Sequence, residues 1–538
     1  MSVPVRPATL ADLTAAAAHA FPGRTALTDH EVSWTFDELH TEVERSTRAA
    51  LAHGLRAGDR VALWAPNSRH WITAALGAVA AGAVLVPLNT RYKPAEAAAV
   101  LRRSRARFLF TVGEFLGTDY AKALTASGAH LPDLELTVTL PTDEDPEGDP
   151  AHRYADYLAA AEHVTGRSRA QRAAALTPDD LSDTLYTSGT TGSPKGVEIT
   201  HGQTLRVFTA WAETVGLREG DRYLLVNPFF HTFGYKAGVL ACLLTGATML
   251  PEAVYDAGRT LRRVARDGIT VLMGPPTVFH TLLQHPARAA GDFASLRLAG
   301  LGAADIPVEL IHRIRDELGI ADVFTAYGLS ESTGVATICP TTADASTIAH
   351  TVGLPLPGTE LRIAVPGRDP AREPAAPGEP GEIQVRGYHV MRGYVDDPEA
   401  TAAAVDPDGW LHTGDIGRLD AHGHLTVTDR LKDMYIVGGF NAYPTEIEHV
   451  LAGHEAVQDV AVVGVPDQRL GEVGAAYVVV REGTDRAAFP AELTAWARER
   501  LANYKLPRTV TVLDALPRNA SGKVRKTELR GTAPRPAP

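Results

Sequence analysis

Residues 304–326, ADIPVELIHRIRDELGIADVFTA, decide the fold class. Asp305 reads as a helix N-cap, and Leu310, Ile311, Ile314 and Leu318 recur at helical spacing as one apolar stripe. Gly319 stops that helix, and Val323, Phe324 and Thr325 begin a strand. Residues 34–64 repeat the order. Thr35 and Glu38 have capping-box spacing, with Trp34 and Leu39 placed as a hydrophobic staple. Leu39, Val43, Ala50 and Leu51 then keep to one face, Gly54 ends the helix, and residues 60–64 follow as a strand. Alternation of this kind predicts an α/β fold with largely parallel sheets.

Working outward, the pattern shifts near residue 350. Turn-rich segments such as residues 366–380 and short strands such as 381–386 predict a small β subdomain. Beyond residue 430, Pro444 opens a helix carrying Ile447, Val450 and Leu451, and residues 459–465 and 475–480 read as strands. The final GTAPRPAP, residues 531–538, reads as a loose tail.

With 538 residues the chain is long enough for two to four domains. Lys and Arg number 52 against 64 Asp and Glu, a net charge of −12, which argues against a nucleic-acid or other polyanion partner. Two cysteines, Cys242 and Cys339, support neither a disulfide framework nor a cysteine metal site, and a reducing cytoplasmic home is expected. The uncharged run over residues 71–88 is Ala- and Gly-rich and is broken by Gly77, Gly82 and Pro87. It reads as a buried helix and strand rather than a membrane span. The Ala-rich run over residues 15–18 is flanked by Asp12 and His19 and does not read as a signal peptide.

The most informative chemistry lies in residues 187–197, TSGTTGSPKGV. Glycines there let backbone N–H groups approach an anion, hydroxyls add donors, and Lys195 adds charge, so the string reads as a phosphate loop. It lacks the Walker A register. Tyr327 is suited to stacking on a purine, and Glu331 is a hard carboxylate suited to Mg2+, although alone it would read as a surface acid. His231 between Phe230 and Phe233 reads, alone, as a packed core residue. Lys523 sits in a basic loop that, alone, reads as a solvated charge run.

This string resembles the phosphate loop of the AMP-forming adenylate enzymes: acyl-CoA synthetases, peptide-synthetase adenylation domains and firefly-type luciferases. Further motifs follow in the family's order: NPFFHTFG at 227–234, YGLSES at 327–332, GEIQVRG at 381–387 and TGD at 413–415. DRLKDMYIVGGFNAYPTEIE at 429–448 and PRNASGK at 517–523 complete the set. The resemblance covers nearly the whole chain. It implies a large N-terminal domain of two α/β parallel-sheet subdomains plus a small β subdomain over residues 1–430. A small mobile α+β C-terminal domain over residues 431–530 would follow.

The resemblance also implies site residues. Thr187, Ser188, Gly189, Thr190, Thr191, Gly192 and Lys195 would bind the ATP phosphates, with Ser330 near the α-phosphate and Glu331 on Mg2+. Gly302, Ala303, Ala304, Tyr327 and Gly328 would line the adenine and acyl pockets, and Asp415 and Arg430 would contact ribose. Lys523 would reach the carboxylate and phosphates, His231 would gate the acyl site, and Lys432 would be the domain hinge. Gly438 and Gly439 would line a pantetheine tunnel for coenzyme A, a simple β-turn being the other reading of that pair.

An acyl pocket built from Asn227, Phe230, Phe233 and Gly234 suggests a bulky apolar acid. Lys236 would meet one polar group of that acid, or would be solvated or structurally paired. Thr232 stands where amino-acid-activating relatives usually place Asp, which disfavours an α-amino acid as the activated acid. Residues 227–238, 304–319, 390–406 and 438–448 look especially like ligases for the ring-propionate intermediates of steroid breakdown. They also resemble a branch joining coronafacate-type bicyclic acids to amino acids. The expectation is an acid–CoA ligase, with an ATP-dependent amide ligase as the alternative; a monomer or a homodimer is compatible with either.

Overall fold

A computed structural model gives the architecture for residues 3–142, 153–187, 194–290, 293–302, 306–430, 433–437, 440–442, 444–467, 470–501, 503–518 and 523–532. Contacts divide the chain into two compact units, one of residues 1–361 with 385–411, the other of 362–384 with 412–538. The expected boundary after residue 430 therefore falls inside the second unit. Residues 362–384 and 412–430 stay together because their strands belong to one four-stranded sheet.

In the first unit, a parallel series runs through Leu136–Leu140, Ala106–Val112, Arg60–Trp64, Val84–Pro87 and Leu181–Thr187, in that spatial order. Lys195–Thr200 then returns antiparallel to Leu181–Thr187, and Gly393–Tyr394 pairs antiparallel outside it. A second sheet places Asp322–Tyr327, Leu298–Leu301, Val271–Gly274, Arg222–Leu225, Thr248–Pro251 and Thr25–Asp29 side by side and parallel. Most strand residues are buried because helices cover these sheets, as a parallel sheet requires.

The local signals hold where they were strongest. Thr35 caps Phe36–Ala52 with its hydroxyl accepting from Glu38 N–H, and the Glu38 carboxylate accepts from Thr35 N–H at 2.8 Å. Leu310, Ile311 and Ile314 are the buried residues of Val308–Glu317. That helix begins after Pro307, and the expected cap Asp305 lies outside the described residues. Residues 71–88 divide into Arg69–Ala80 and Val84–Pro87, both buried. Among the described residues no helix is long and apolar enough to cross a membrane.

In the second unit, Trp410–Leu419 from His412 onward pairs antiparallel with Leu425–Arg430. A further sheet joins Phe440–Ala442, Tyr435–Val437, Gly471–Val480 and Val457–Asp467, with Thr509–Leu513 parallel to Gly471–Val480. Pro444–Ala452 packs on Val457–Asp467, so this part is α+β. The final helix, Lys526–Thr532, runs two residues into the expected tail.

Candidate active site

Open α/β sheets bind ligands beyond the carboxyl ends of their strands. The described candidate residues of the first unit follow that rule. Thr187 ends one parallel strand, Tyr327 ends another, and Gly302 follows Leu298–Leu301 directly beside it. A side chain added at Gly302 would meet open space. Asn227 follows Arg222–Leu225 and is buried, donating to Met273 O at 3.0 Å.

Lys195 opens the return strand opposite Thr187. No carboxylate among the described residues pairs with its ammonium, which lies 4.9 Å from the centre of the Tyr394 ring. Glu331 belongs to the one-turn helix Ser330–Ser332, held by Leu329 N–H donating to Ser332 Oγ at 3.0 Å. Tyr394 Oη donates to Glu331 Oε1 at 2.8 Å, and Met391 N–H donates to Glu331 O at 2.8 Å. Glu331 Oε2 has no partner among the described residues. One half-buried carboxylate with an open oxygen fits Mg2+, which is commonly held by one or two carboxylates and the substrate's phosphates.

Gly328 and Gly334 close the turn behind Glu331. A Cβ at Gly328 would collide with Gly334 O, and Gly334 has φ +98°. Thr232 packs against Gly334 so closely that a Cβ there would strike its methyl group. The His231 segment and the Glu331 turn are thus in contact.

His231 caps the short helix Thr232–Gly234, its Nδ1 accepting from Phe233 N–H at 3.2 Å. That bond requires an unprotonated Nδ1. The ring reaches solvent yet is surrounded by protein, and desolvation pushes its pKa below the usual value. The gate candidate is therefore a neutral imidazole at neutral pH. Phe230 and Phe233 beside it are partly buried. Gly234 has no room for a side chain, since a Cβ would collide with Pro228 O and Asn227 O. Asn67, which sequence reasoning did not single out, latches this segment. Its amide donates to Leu225 O and Asn227 O at 3.1 and 2.9 Å, and its Oδ1 accepts from Phe229 N–H at 2.8 Å.

Of the readings open for Lys236, the structure shows the structural pairing. This lysine lies in the π-helical segment Tyr235–Leu240, fully buried, with Nζ 2.8 Å from Asp183 Oδ2 and 3.1 Å from Thr204 Oγ1. Burial pushes the ammonium pKa down, and Asp183 opposes that shift. Ser182 Oγ donates to the other Asp183 oxygen at 2.6 Å.

In the second unit, Asp415 is buried and stands directly opposite Arg430 in the antiparallel pair, so the two expected ribose contacts are cross-strand neighbours. Only the backbone of Arg430 is described. Lys523 is exposed and precedes Val524, which bridges back to Arg518 and closes the loop at its base. Ser188, Gly189, Thr190, Thr191, Gly192, Ala303, Ala304, Lys432, Gly438 and Gly439 lie outside the described residues.

Lys195 opposite Thr187, the open Glu331 carboxylate and the strand end at Tyr327 suit a nucleotide-dependent enzyme. The chain belongs to the AMP-binding enzyme family, which it matches over residues 14–395, and it matches the AMP-binding enzyme C-terminal domain over residues 446–523. It is 47% identical over 526 residues to a 3-[(3aS,4S,7aS)-7a-methyl-1,5-dioxo-octahydro-1H-inden-4-yl]propanoyl:CoA ligase of Rhodococcus jostii (strain RHA1). That match covers 98% of this chain and 99% of the relative. A ligase of the same name from Mycobacterium tuberculosis (strain ATCC 25618 / H37Rv) is 50% identical over 509 residues, covering 95% and 96%. Among solved structures, ATP-bound MatB from Rhodopseudomonas palustris is similar with TM-score 0.84 and 29% identity over 97% of this chain and 98% of that one. The amide bond synthetase McbA from Marinactinospora thermotolerans is similar with TM-score 0.82 and 27% identity over 97% and 99%.

Proposed function

We infer that the protein is an ATP-dependent acid–CoA ligase acting on a bulky fused-ring carboxylate. The observation that carries this reading is the end-to-end likeness to the two indenyl-propanoyl:CoA ligases. The acid in their name is a propanoate on a methyl-bearing bicyclic dione, and we propose an acid of that class here.

A carboxylate resists nucleophiles because oxide leaves poorly, so the acid is activated first. Its oxygen attacks the α-phosphorus of ATP, the bond to pyrophosphate breaks, and an acyl-adenylate forms. The thiol sulfur of coenzyme A then attacks the acyl carbon, AMP departs, and the thiol proton passes to solvent. Lys195 and Lys523 would balance the negative charge that develops during adenylation, an interaction that raises turnover rather than mere binding. Mg2+, when bound at Glu331, would supply further positive charge against the phosphates. Tyr327 and Gly302 would receive the adenine, and Asp415 with Arg430 the ribose hydroxyls. His231, neutral and set among Phe230 and Phe233, would shield the acyl carbon from water without pairing with the acid's charge.

The test is AMP release with a panel of mono-, bi- and polycyclic propanoates, each with coenzyme A, with amino acids, or with neither. CoA-dependent turnover and a thioester product, fastest with bicyclic acids, is the expected result. An amide product indifferent to coenzyme A would overturn it in favour of the amide ligase reading.

A further inference from the structure

We propose that Tyr394 is a positioning residue for adenylation, holding Glu331 and Lys195 in fixed register for one metal-bound polyphosphate. The proposal rests on the roles given above to those two residues and adds a third that neither the motifs nor the relatives' names assign.

One side chain touches both charged groups. The phenol hydroxyl donates to Glu331 Oε1 at 2.8 Å, while the Lys195 ammonium lies 4.9 Å from the centre of the same ring. A cation over an aromatic face is attracted by the ring quadrupole, so the ring's face suits the ammonium while its hydroxyl suits the carboxylate. The surrounding backbone fixes the ring. Tyr394 pairs with Val197 in register, Val395 N–H donates to Gly196 O at 2.8 Å, and Arg392 N–H donates to Glu198 O at 3.0 Å. The ring therefore hangs from the strand that begins with Lys195. On its other side, Met391 N–H donates to Glu331 O at 2.8 Å and Thr333 Oγ1 donates to His389 O at 2.7 Å. Residues 389–395 thus form a strap between the Lys195 strand and the Glu331 turn.

The strap has a chemical consequence. Occupying Oε1 leaves Oε2 as the oxygen offered to a cation, in one direction rather than many. An unpinned carboxylate rotates broadly about its last torsion and must be ordered at each binding event. A phenol is protonated throughout the neutral range, so the hydroxyl stays a donor.

Calorimetry of ATP binding to the full-length protein, without acid, separates the possibilities when run with Mg2+ and with EDTA. Thermal midpoints are read in parallel. Glu331→Gln should lose most of the affinity that Mg2+ adds. Tyr394→Phe should keep its thermal midpoint and its Mg2+-free affinity but lose about tenfold of the Mg2+-dependent gain, the size of one charge-assisted hydrogen bond. Adding Tyr394→Phe to Glu331→Gln should cost nothing more. Tyr394→Leu, which also removes the ring beneath Lys195, should weaken Mg2+-free binding as well. Wild-type behaviour of Tyr394→Phe beside a defective Glu331→Gln would overturn the proposal and leave the Glu331 assignment standing. Full Mg2+-dependent gain in Glu331→Gln would overturn both. A lowered midpoint in Tyr394→Phe, with equal losses in both buffers, would reduce Tyr394 to a packing residue.

Discussion

Lys236 illustrates how much a single residue's meaning depends on what faces it. A lysine within an aromatic segment beside an acyl site invites a substrate contact, but Asp183 stands on a strand far away in sequence and claims the ammonium. Removing one partner of a fully buried ion pair strands the other, a loss of about 3–5 kcal/mol. Lys236→Met should therefore lower the thermal midpoint strongly, the double variant with Asp183→Asn should recover part of it, and acid preference should not change. Differential scanning calorimetry with the acid panel checks all three. Two buried histidines give a second prediction. His201 and His389 both have their pKa pushed down to about 4 by burial. His201 Nδ1 accepts from Leu10 N–H, while neither His389 ring nitrogen has a partner among the described residues. Below about pH 6.5 the unfolded chain binds protons that the folded chain refuses, so stability falls as pH drops toward 4. The loss should reach at most about 3 kcal/mol per histidine. Urea midpoints between pH 7 and 4.5 should show this slope, and His389→Phe should flatten it without costing a hydrogen bond.

At the scale of elements, the sequence was most legible where local rules sufficed. The capping box at Thr35, the stripe of Val308–Glu317 and the division of residues 71–88 are each written in neighbouring positions. The motifs likewise brought Thr187, Lys195, Tyr327 and Glu331 to strand ends. Asn67, Asp183 and Tyr394 were not legible, because each acts on a partner brought near only by folding: Asn227 for Asn67, Lys236 for Asp183 and Glu331 for Tyr394. Tyr394 lies inside a stretch that resembles the ring-propionate ligases, yet no spacing announces a hydrogen bond across 63 positions. Packing also explains what pattern alone could only associate. Gly234 is needed because its Cα faces two carbonyl oxygens in the turn after His231. Gly234→Ala should displace that turn at an overpacking cost of about 1–3 kcal/mol. Its signature would be a raised KM for the acid with the KM for ATP unchanged.

For the whole molecule, the two units are not consecutive lengths of chain. The first takes residues 1–361 and then, after an excursion, residues 385–411. Glu360 and Arg386 flank that excursion and are 2.7 Å apart, so its two ends meet. A chain in which a short Gly/Ser linker replaces residues 362–384 and which stops after residue 411 should therefore fold alone. A chain stopped at residue 361 should not, since it lacks the strand Gly393–Tyr394 and the strap around it. Limited proteolysis and far-ultraviolet circular dichroism of the two fragments check this. The same crossing orders events during synthesis. When residue 411 leaves the ribosome, the first unit can close, whereas residues 362–384 still await partners not yet translated. For that interval the nascent chain carries a hairpin with one edge uncovered, and the speed of translation through residues 412–430 sets how long that edge stays open to chaperones or to a neighbouring chain.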